Sequence, residues 1–432
     1  MDRTKKSFMV ATITILVLMV FTYVLTLTLQ CEGISFVKWL FSPILVLGSS
    51  SGVTTISIIV FLLIIGGISN SLNKCGFIDY MLNYICHRHG RHRYRLVLLV
   101  VFFFMMLGSC VGSFEEVVPM VPILVALANR LGFDDLTGIS ISLLAVGCGF
   151  AAGVFNPFTI GVAQTIAGLP MFSGASLRIL SFVLIYLLLI GFIFLHIRKI
   201  EKREAIEEVE FVEDENKKKA FIAFGVVLGI GIALVLCSTF LTFLQDYTMV
   251  IIAVMFLVAG ILATALCKTP VKDFLVYFRD GALEIAPSII LILMASSIKY
   301  TMEESGVLNT IIDGFAWVAS HFNKVALILF IYLICLVMEI FIPSGSAKAF
   351  LIIPIIVPLA SRFGISAQLC ILAFAFGDGF SNVFYPTNPA LLISLGLVNM
   401  EYEKWFRYSW KFQAINFILT SDILLLGLLI GY

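Results

Sequence analysis

The segment Pro122-Ile-Leu-Val-Ala-Leu-Ala-Asn-Arg-Leu-Gly132 returns 232 residues later as Pro354-Ile-Ile-Val-Pro-Leu-Ala-Ser-Arg-Phe-Gly364, with seven of eleven positions identical. The same shift, without a gap, superposes further glycine and Asn-Pro positions: Gly147 on Gly379 and Asn156-Pro157 on Asn388-Pro389. An apolar chain can match itself by chance at Leu and Ile, but not at a shared Pro, Arg, Gly and Asn-Pro in one register. The sequence therefore predicts two copies of one structural unit.

The composition places both copies in a bilayer. Of the 432 residues, 60% are hydrophobic and 13% are charged, and the mean hydropathy is +1.07, whereas about a quarter of the residues in a soluble domain are charged. The net charge of +1 argues against nucleic acid as a partner, because phosphate binding needs a one-sided basic field. The nine cysteines are scattered, without a CxxC pair, so we expect no metal site from them.

Eleven apolar stretches have the length that a membrane helix or hairpin requires. A helix needs about 20 apolar residues to cross a bilayer, and nine runs fit this length or contain one break: 8–29, 54–72, 136–168, 177–197, 219–243, 248–267, 284–302, 368–398 and 407–430. Two further stretches, 93–131 and 324–363, are interrupted at their middle by small and polar residues. Such interruptions predict two re-entrant hairpins, with a pair of ordinary spans as the alternative.

The distribution of basic residues sets the orientation of these segments. If both interrupted stretches return to the side that they entered from, and the N-terminus is cytoplasmic, 22 of the 28 Lys and Arg residues lie on the cytoplasmic side. Cytoplasmic loops of membrane proteins carry this excess of positive charge. The pattern therefore predicts a multi-pass protein of the cell membrane, the bacterial inner or plasma membrane, with its N-terminus inside.

The order of the segments predicts an all-α polytopic membrane protein built as an inverted repeat, with about nine transmembrane helices and two opposed re-entrant hairpins. Five crossings separate the hairpins, and an odd number inverts the second copy. The predicted units are a first repeat (1–197), a charged cytoplasmic linker (198–218), an extra helix (219–247) and a second repeat (248–432). In both repeats the long runs 136–168 and 368–398 carry Gly and Pro, which predicts an unwound helix in each. This is the layout of secondary transporters that bind substrate near the midplane.

Several long motifs resemble one known family. They are Gly112-Ser-Phe-Glu-Glu-Val-Val-Pro119, Phe155-Asn-Pro-Phe-Thr-Ile-Gly-Val-Ala-Gln164, Ile342-Pro-Ser-Gly-Ser-Ala-Lys-Ala349, Phe376-Gly-Asp-Gly-Phe-Ser-Asn382 and Glu401-Tyr-Glu-Lys-Trp-Phe406. Together they resemble the YfcC-type branch of the C4-dicarboxylate carrier (DcuC) family, within the ion transporter superfamily. The resemblance implies two opposed hairpins, two unwound helices and a homodimer. It also implies transport of small molecules, either basic amino acids, as in arginine/ornithine antiporters, or C4-dicarboxylates.

Charged side chains at membrane depth are the first candidates for a substrate site, because each costs several kcal/mol unless it is paired or hydrated. They are Glu115, Glu116, Glu339, Lys348, Asp378 and Asp422, with a sum of −4 if all are ionised. Asp422 has no counterpart near the breaks, so we expect it to pair with a neighbouring helix instead. Glu116 coincides with Lys348 under the 232-residue shift, so the two hairpin tips carry opposite charges. We expect Lys348 to receive a substrate carboxylate, and Glu115, Glu116 or Asp378 to receive a cationic group. The alternative is a structural ion pair between Lys348 and Glu116 or Asp378.

Polar residues of the hairpin tips and unwound segments complete the predicted substrate site. Its members are Ser113, Glu115, Glu116, Asn156, Pro157, Thr159, Ser344, Gly345, Ser346, Lys348, Asp378, Asn382, Thr387 and Asn388. Freed carbonyls with the side chains of Asn156, Thr159, Thr387 and Asn388 could also hold Na⁺, with a packing kink as the alternative for these breaks. We predict no cofactor and no resident metal, and either Na⁺ or H⁺ as a coupling ion.

The sequence favours an amino-acid antiporter that works by alternating access. The alternative is a Na⁺- or H⁺-coupled carrier of C4-dicarboxylates or other carboxylates, which should place more than one cation near the breaks. The Gly377-Asp-Gly379 motif also resembles part of the signature of intramembrane aspartyl proteases, but no second Asp stands in a matching motif. We therefore predict that the chain is not an enzyme, while a channel remains an alternative that countertransport would separate.

Overall fold

The computed structural model describes residues 3–29, 32–49, 52–89, 92–112, 114–170, 172–200, 213–238, 248–319 and 322–432. Every regular element in these ranges is helical. The helices are α1 Arg3–Thr28, α2 Phe36–Leu40, α3 Ser42–Leu45, α4 Gly52–Lys74, α5 Phe77–His89, α6 Arg93–Val111, α7 Val121–Arg130, α8 Asp135–Ile139, α9 Ala145–Ala152, α10 Val162–Ile166, α11 Ala175–Ile200, α12 Glu215–Ser238, α13 Thr248–Leu266, α14 Val271–Ile285, α15 Pro287–Glu304, α16 Val307–Ala319, α17 Lys324–Met338, α18 Gly345–Arg362, α19 Ala367–Asn382, α20 Pro389–Leu397 and α21 Tyr402–Ile430. A 3₁₀ turn, Glu115–Met120, leads into α7, and π-helical turns at Ser140–Leu144 and Pro157–Gly161 join α8 to α9 and lead into α10.

Within the described residues, five stretches are long and apolar enough to cross a membrane, by length and composition: Thr55–Lys74, Arg93–Cys110, Asp135–Ala152, Ala175–Ile200 and Tyr402–Ile430. They differ sharply in burial. The best apolar window of Asp135–Ala152 is 94% buried inside the protein, but that of Ala175–Ile200 is only 33% buried. The first is therefore a central helix, and the second faces outward, where lipid can cover its apolar side chains. The predicted all-α, multi-pass membrane class is confirmed, and the count of nine crossings stays a prediction.

The two halves of the chain interlock through matching helix pairs. Helices α1 and α3 of the first half pack on α15 of the second, while α13 and α14 of the second half pack on α4 of the first. Packing between the two halves recurs at the centre, where α10 contacts α18, and α20 contacts α7 and the turn before it. Each half thus supplies the packing surface for the other, and neither half buries its apolar faces alone.

Helices α9 and α19 cross at the two glycines that the repeat pairs. A Cβ on Gly147 would lie 2.4 Å from Cγ1 of Val383, and a Cβ on Gly379 would lie 2.3 Å from the Cα of Ala151. Under the 232-residue shift Gly147 corresponds to Gly379 and Ala151 to Val383, so the two contacts are equivalent. At Gly379 the backbone of the partner helix leaves no space for a side chain, and at Gly147 the side chain of Val383 occupies that space; small residues allow such close crossings. This close crossing brings the two broken helices together.

The polar caps of the two broken helices also match. Asp134 begins the first, where its carboxylate accepts a hydrogen bond from the amide of Thr137 at 2.9 Å. Ser366, at the equivalent position, begins the second, where its hydroxyl accepts from the amide of Leu369 at 3.1 Å. A side-chain oxygen at this position satisfies one of the donors that a helix start leaves unpaired. The repeat seen in the sequence therefore extends to local backbone structure, while its inversion across the membrane stays a prediction.

Helix α14, Val271–Ile285, lies almost wholly between the predicted spans 248–267 and 284–302, where the sequence predicts a cytoplasmic connection. This helix alternates apolar and charged residues, and it is too short and too polar to cross a membrane. The helix nevertheless packs on α4, where Phe278 fills the space beside Gly67 and the side-chain amide of Asn70 donates to the carbonyl of Tyr277 at 2.8 Å. The linker residues 201–212 lie outside the described ranges, and the predicted division into repeats, linker and extra helix is not tested.

Candidate substrate site at the broken helices

The first broken helix stops at the end of α9 and restarts at Pro157. Ser109, near the end of α6, holds the intervening backbone: its hydroxyl accepts from the amide of Val154 and its carbonyl accepts from the amide of Phe155, both at 3.0 Å. Asn156 caps the restart by accepting from the amide of Thr159 at 3.2 Å. Proline follows the cap because its fixed φ suits a first helical position and its missing N–H costs nothing there.

The second broken helix stops at Asn382 and restarts at Pro389. Here the closing helix α21 supplies the donors. The indole N–H of Trp405 donates to the carbonyl of Val383 at 2.8 Å, and the hydroxyl of Tyr402 donates to the carbonyl of Phe384 at 2.9 Å. Asn388 caps the restart by accepting from the amide of Leu391 at 3.2 Å, and its side-chain amide donates to Asn382 Oδ1 at 2.6 Å.

A buried ion cluster joins α17 and α18, which form the predicted second hairpin, to the second broken helix. The ammonium of Lys348, in the first turn of α18, contacts a carboxylate oxygen of Glu339, just after α17. It also lies 2.8 Å from Oδ1 of Asp378 in α19. All three side chains have no solvent exposure. A buried cation without partners would be several kcal/mol less stable, so this pairing explains how Lys348 can lie inside the protein.

The start of α18 brings the first broken helix to the same cluster. A Cβ on Gly345 would lie 2.7 Å from Oδ2 of Asp378 and 2.9 Å from Cγ2 of Thr159, so glycine is required for the three elements to meet. Asp378 therefore lies at the amino end of a helix of 18 residues, where the helix dipole and unpaired amides stabilise a negative charge. The hairpin tip, the first break and the second broken helix converge on one point.

The predicted residues thus fall into two described groups. One group meets at the ion cluster: Thr159, Gly345, Lys348 and Asp378, with Ser344 directly before α18. The other group lies at the second break, where the side chains of Asn388 and Asn382 form a hydrogen bond and Thr387, the residue before Asn388, is buried. Asn156 caps the first restart. Ser113 lies outside the described residues, as do the side chains of Glu115, Glu116, Pro157 and Ser346, so the predicted contact between the tip charges is not tested.

Glu339 is the residue that the predicted site lacked. The sequence marks it as a charge at membrane depth, yet only the fold shows that it lies against Lys348. The structural alternative considered for Lys348, an ion pair with Asp378, is present in this conformation, and Glu339 adds a second carboxylate. A usable signal was available, because an acid and a base nine residues apart on either side of a Pro-Ser-Gly tip face each other when the tip folds back.

A family profile and two related proteins align with most of the chain. The sequence profile of the DcuC family, described as C4-dicarboxylate anaerobic carrier, matches residues 5–429. YfcC of Escherichia coli (strain K12), which has the provisional name of basic amino acid antiporter, is 29% identical over 418 residues, covering 89% of this chain and 80% of YfcC. An uncharacterized protein of Haemophilus influenzae is 23% identical over 384 residues, covering 86% of this chain and 75% of that protein.

Two solved transporters align with the chain at lower similarity. The YdaH transporter of Alcanivorax borkumensis has 17% identity and a TM-score of 0.49, over 99% of both chains. MtrF of Neisseria gonorrhoeae, described as illuminating a class of antimetabolite efflux pumps, has 15% identity and a TM-score of 0.44, over 97% of this chain and 94% of MtrF. The family assignment rests on the profile match over residues 5–429, which shows that this chain belongs to the C4-dicarboxylate anaerobic carrier (DcuC) family of membrane transporters.

Proposed function

We propose that this member of the family is a secondary active transporter that exchanges basic amino acids, of the arginine and ornithine type, by alternating access. The chain would work in the bacterial inner or plasma membrane with its N-terminus in the cytoplasm, as a homodimer. The observation that carries the substrate class is the charge of the buried cluster at the broken helices.

The cluster has one carboxylate more than its single ammonium. Glu339 and Asp378 contribute two negative charges and Lys348 contributes one positive charge, so the fully ionised group has a net charge of −1, at no solvent exposure. An uncompensated buried charge is costly. A basic amino acid, with a net charge of +1, would bring the sum to zero, whereas a C4-dicarboxylate would bring it to −3. Electrostatics therefore favours the cationic substrate.

The interlocked halves support the proposed mechanism. Alternating access needs two related units that can exchange conformations around a site between them. Such units require related structures that pack on each other. Three features fit this requirement: the packing of helices from one half on helices of the other, the equivalent glycines where α9 and α19 cross, and the matched helix caps. The odd number of crossings between the predicted hairpins would give them opposite orientations.

A second candidate is a carrier of C4-dicarboxylates coupled to Na⁺ or H⁺. The description of the family favours it, and so does the start of α18, where no side chain of Ser344 caps the helix. Free amides at a helix start can bind a carboxylate without a cationic side chain. On this alternative, Lys348 would leave Glu339 and Asp378 to bind the substrate.

The decisive experiment is counterflow in proteoliposomes. Vesicles loaded with unlabelled ornithine should accumulate labelled arginine transiently, and vesicles loaded with succinate should not accumulate labelled succinate. Asp378→Asn removes the excess negative charge and should abolish arginine exchange. The control is Asp422→Asn, which changes an exposed aspartate of α21 and should leave exchange unchanged. Accumulation of succinate but not of arginine would replace the proposal with its alternative.

A further inference from the structure

The surroundings of the Lys348 ammonium have the features of a binding site for a monovalent cation. Glu339 and Asp378 supply carboxylate oxygens on two sides. The ring of Phe374 lies on another, with its centroid 5.9 Å from the ammonium nitrogen. Carboxylates and an aromatic face are what recognises an alkylammonium ion, since the ring attracts the cation through its negative face. In this protein, the cation is part of the chain.

A second, independent feature is a set of buried oxygen atoms that have no hydrogen-bond partner among the described residues. The hydroxyl of Thr159 is fully buried, and it has no hydrogen-bond partner among the described residues. Oε1 of Glu339, the oxygen opposite the one that contacts Lys348, is in the same condition. The methyl carbon of Thr159 and the carboxylate of Asp378 both lie against Gly345, so Thr159 adjoins the ion cluster. Buried polar atoms normally have partners, so these oxygens are available to coordinate a bound cation.

We propose that Lys348 is a tethered counter-cation whose ammonium occupies a monovalent-cation site formed by Glu339, Asp378 and the ring of Phe374. The wild-type chain then needs no sodium ion at this position, because its own side chain neutralises one of the two carboxylates. The inference rests on the proposed function insofar as it assigns the same cluster, but the property that it predicts is binding and not transport.

The proposal fixes the shape of the ligand that would replace the side chain. Truncating Lys348 to alanine removes three methylene groups and the ammonium, which together correspond to n-propylammonium. The vacated volume would be lined by two carboxylates and Phe374, with the hydroxyl of Thr159 nearby. Sodium, a smaller ion, would use the same carboxylates and the unpartnered oxygens, because hard cations prefer oxygen ligands.

The test measures the Tm of the purified full-length protein in detergent, without transport. Lys348→Ala should unfold at a lower temperature than wild type, and titration with n-propylammonium chloride or NaCl should raise its Tm saturably, as ligand binding to the folded state requires. Choline chloride at equal ionic strength and n-propanol serve as the salt and neutral-shape controls. Wild type and Lys411→Ala, which truncates an exposed lysine of α21, should not respond to either cation.

Two results would overturn the proposal. One is a Lys348→Ala protein whose Tm responds to no cation beyond the choline control. The other is wild type stabilised by sodium as strongly as the variant, because then the ammonium does not occupy the site. If Lys348→Ala cannot be purified, Lys348→Met keeps most of the side-chain volume, and sodium alone is the probe under the same criterion. A wild-type protein that carries no basic amino acid would refute the proposed function and leave this binding result intact.

Discussion

The two broken helices of this transporter share a backbone plan but differ in charge. Both begin with an oxygen cap, at Asp134 and Ser366, and both restart at an Asn-Pro pair. Their chemistry differs at membrane depth. Under the 232-residue shift, Leu107 and Val146 occupy the positions of Glu339 and Asp378. The carboxylates of the described site therefore belong to the second half alone.

The two breaks are also held by different partners. The first depends on one serine of its own hairpin, Ser109, which binds two consecutive amides. The second depends on Trp405 and Tyr402 of the closing helix, which bind two consecutive carbonyls. Freed backbone groups inside a membrane must find partners, and each half meets this requirement locally. On the proposed alternating-access mechanism, the backbone plan that the two breaks share serves conformational exchange, and the side chains in which they differ provide binding.

The largest effect should follow from breaking the ion cluster that only the second region has. Lys348→Met leaves Glu339 and Asp378 unpaired, and breaking a buried pair typically costs about 3–5 kcal/mol. The triple variant Lys348→Met, Glu339→Gln, Asp378→Asn removes every charge and should recover most of the lost stability. Thermal unfolding in detergent measures both. If the triple variant is as unstable as Lys348→Met, the loss of stability comes from the packing of the lysine side chain and not from the unpaired charges.

A smaller loss of stability should distinguish the two broken helices at the point where α9 and α19 cross. A Cβ at Gly379 meets the backbone of Ala151, which cannot move aside, whereas a Cβ at Gly147 meets the side chain of Val383. Overpacking costs about 1–3 kcal/mol, so Gly379→Ala should lower the Tm more than Gly147→Ala. The double variant Gly147→Ala, Val383→Ala should regain the wild-type Tm, because it relieves the only side-chain clash. Equal losses in both single variants would contradict this reading of the crossing.

Local signals in the sequence are sufficient to predict the breaks but only part of the ion cluster. Pro157 and Pro389 act on their own backbone, so their effect could be predicted from neighbouring residues. The pair of Lys348 with Asp378 is one of the alternatives that the sequence offers, whereas the contact with Glu339 also depends on how tightly the 339–348 segment folds back. Hydropathy likewise does not reveal α14, because that helix is stabilised by packing on α4 and not by a long apolar run of its own.

The smallest effect concerns the caps, where the two regions differ by one ionisable group. Asp134→Ala and Ser366→Ala should each cost about 1 kcal/mol, but only the first should change the pH dependence. Burial alone would raise the pKa of Asp134, yet hydrogen bonds from His196 and Thr137 outweigh it and hold the pKa below its usual value.

A lowered pKa in the folded state means that Asp134 contributes stability above its unfolded pKa of about 4, and that this contribution is lost as the pH falls through the folded value. Wild type and Ser366→Ala should therefore lose Tm together on acidification from pH 7 to pH 3. Asp134→Asn, which keeps a capping oxygen, should lose less over the same range. If its Tm falls as steeply as that of wild type, the acid sensitivity arises at other carboxylates, and Asp134 stabilises the helix as Ser366 does, by its capping oxygen and not by its charge.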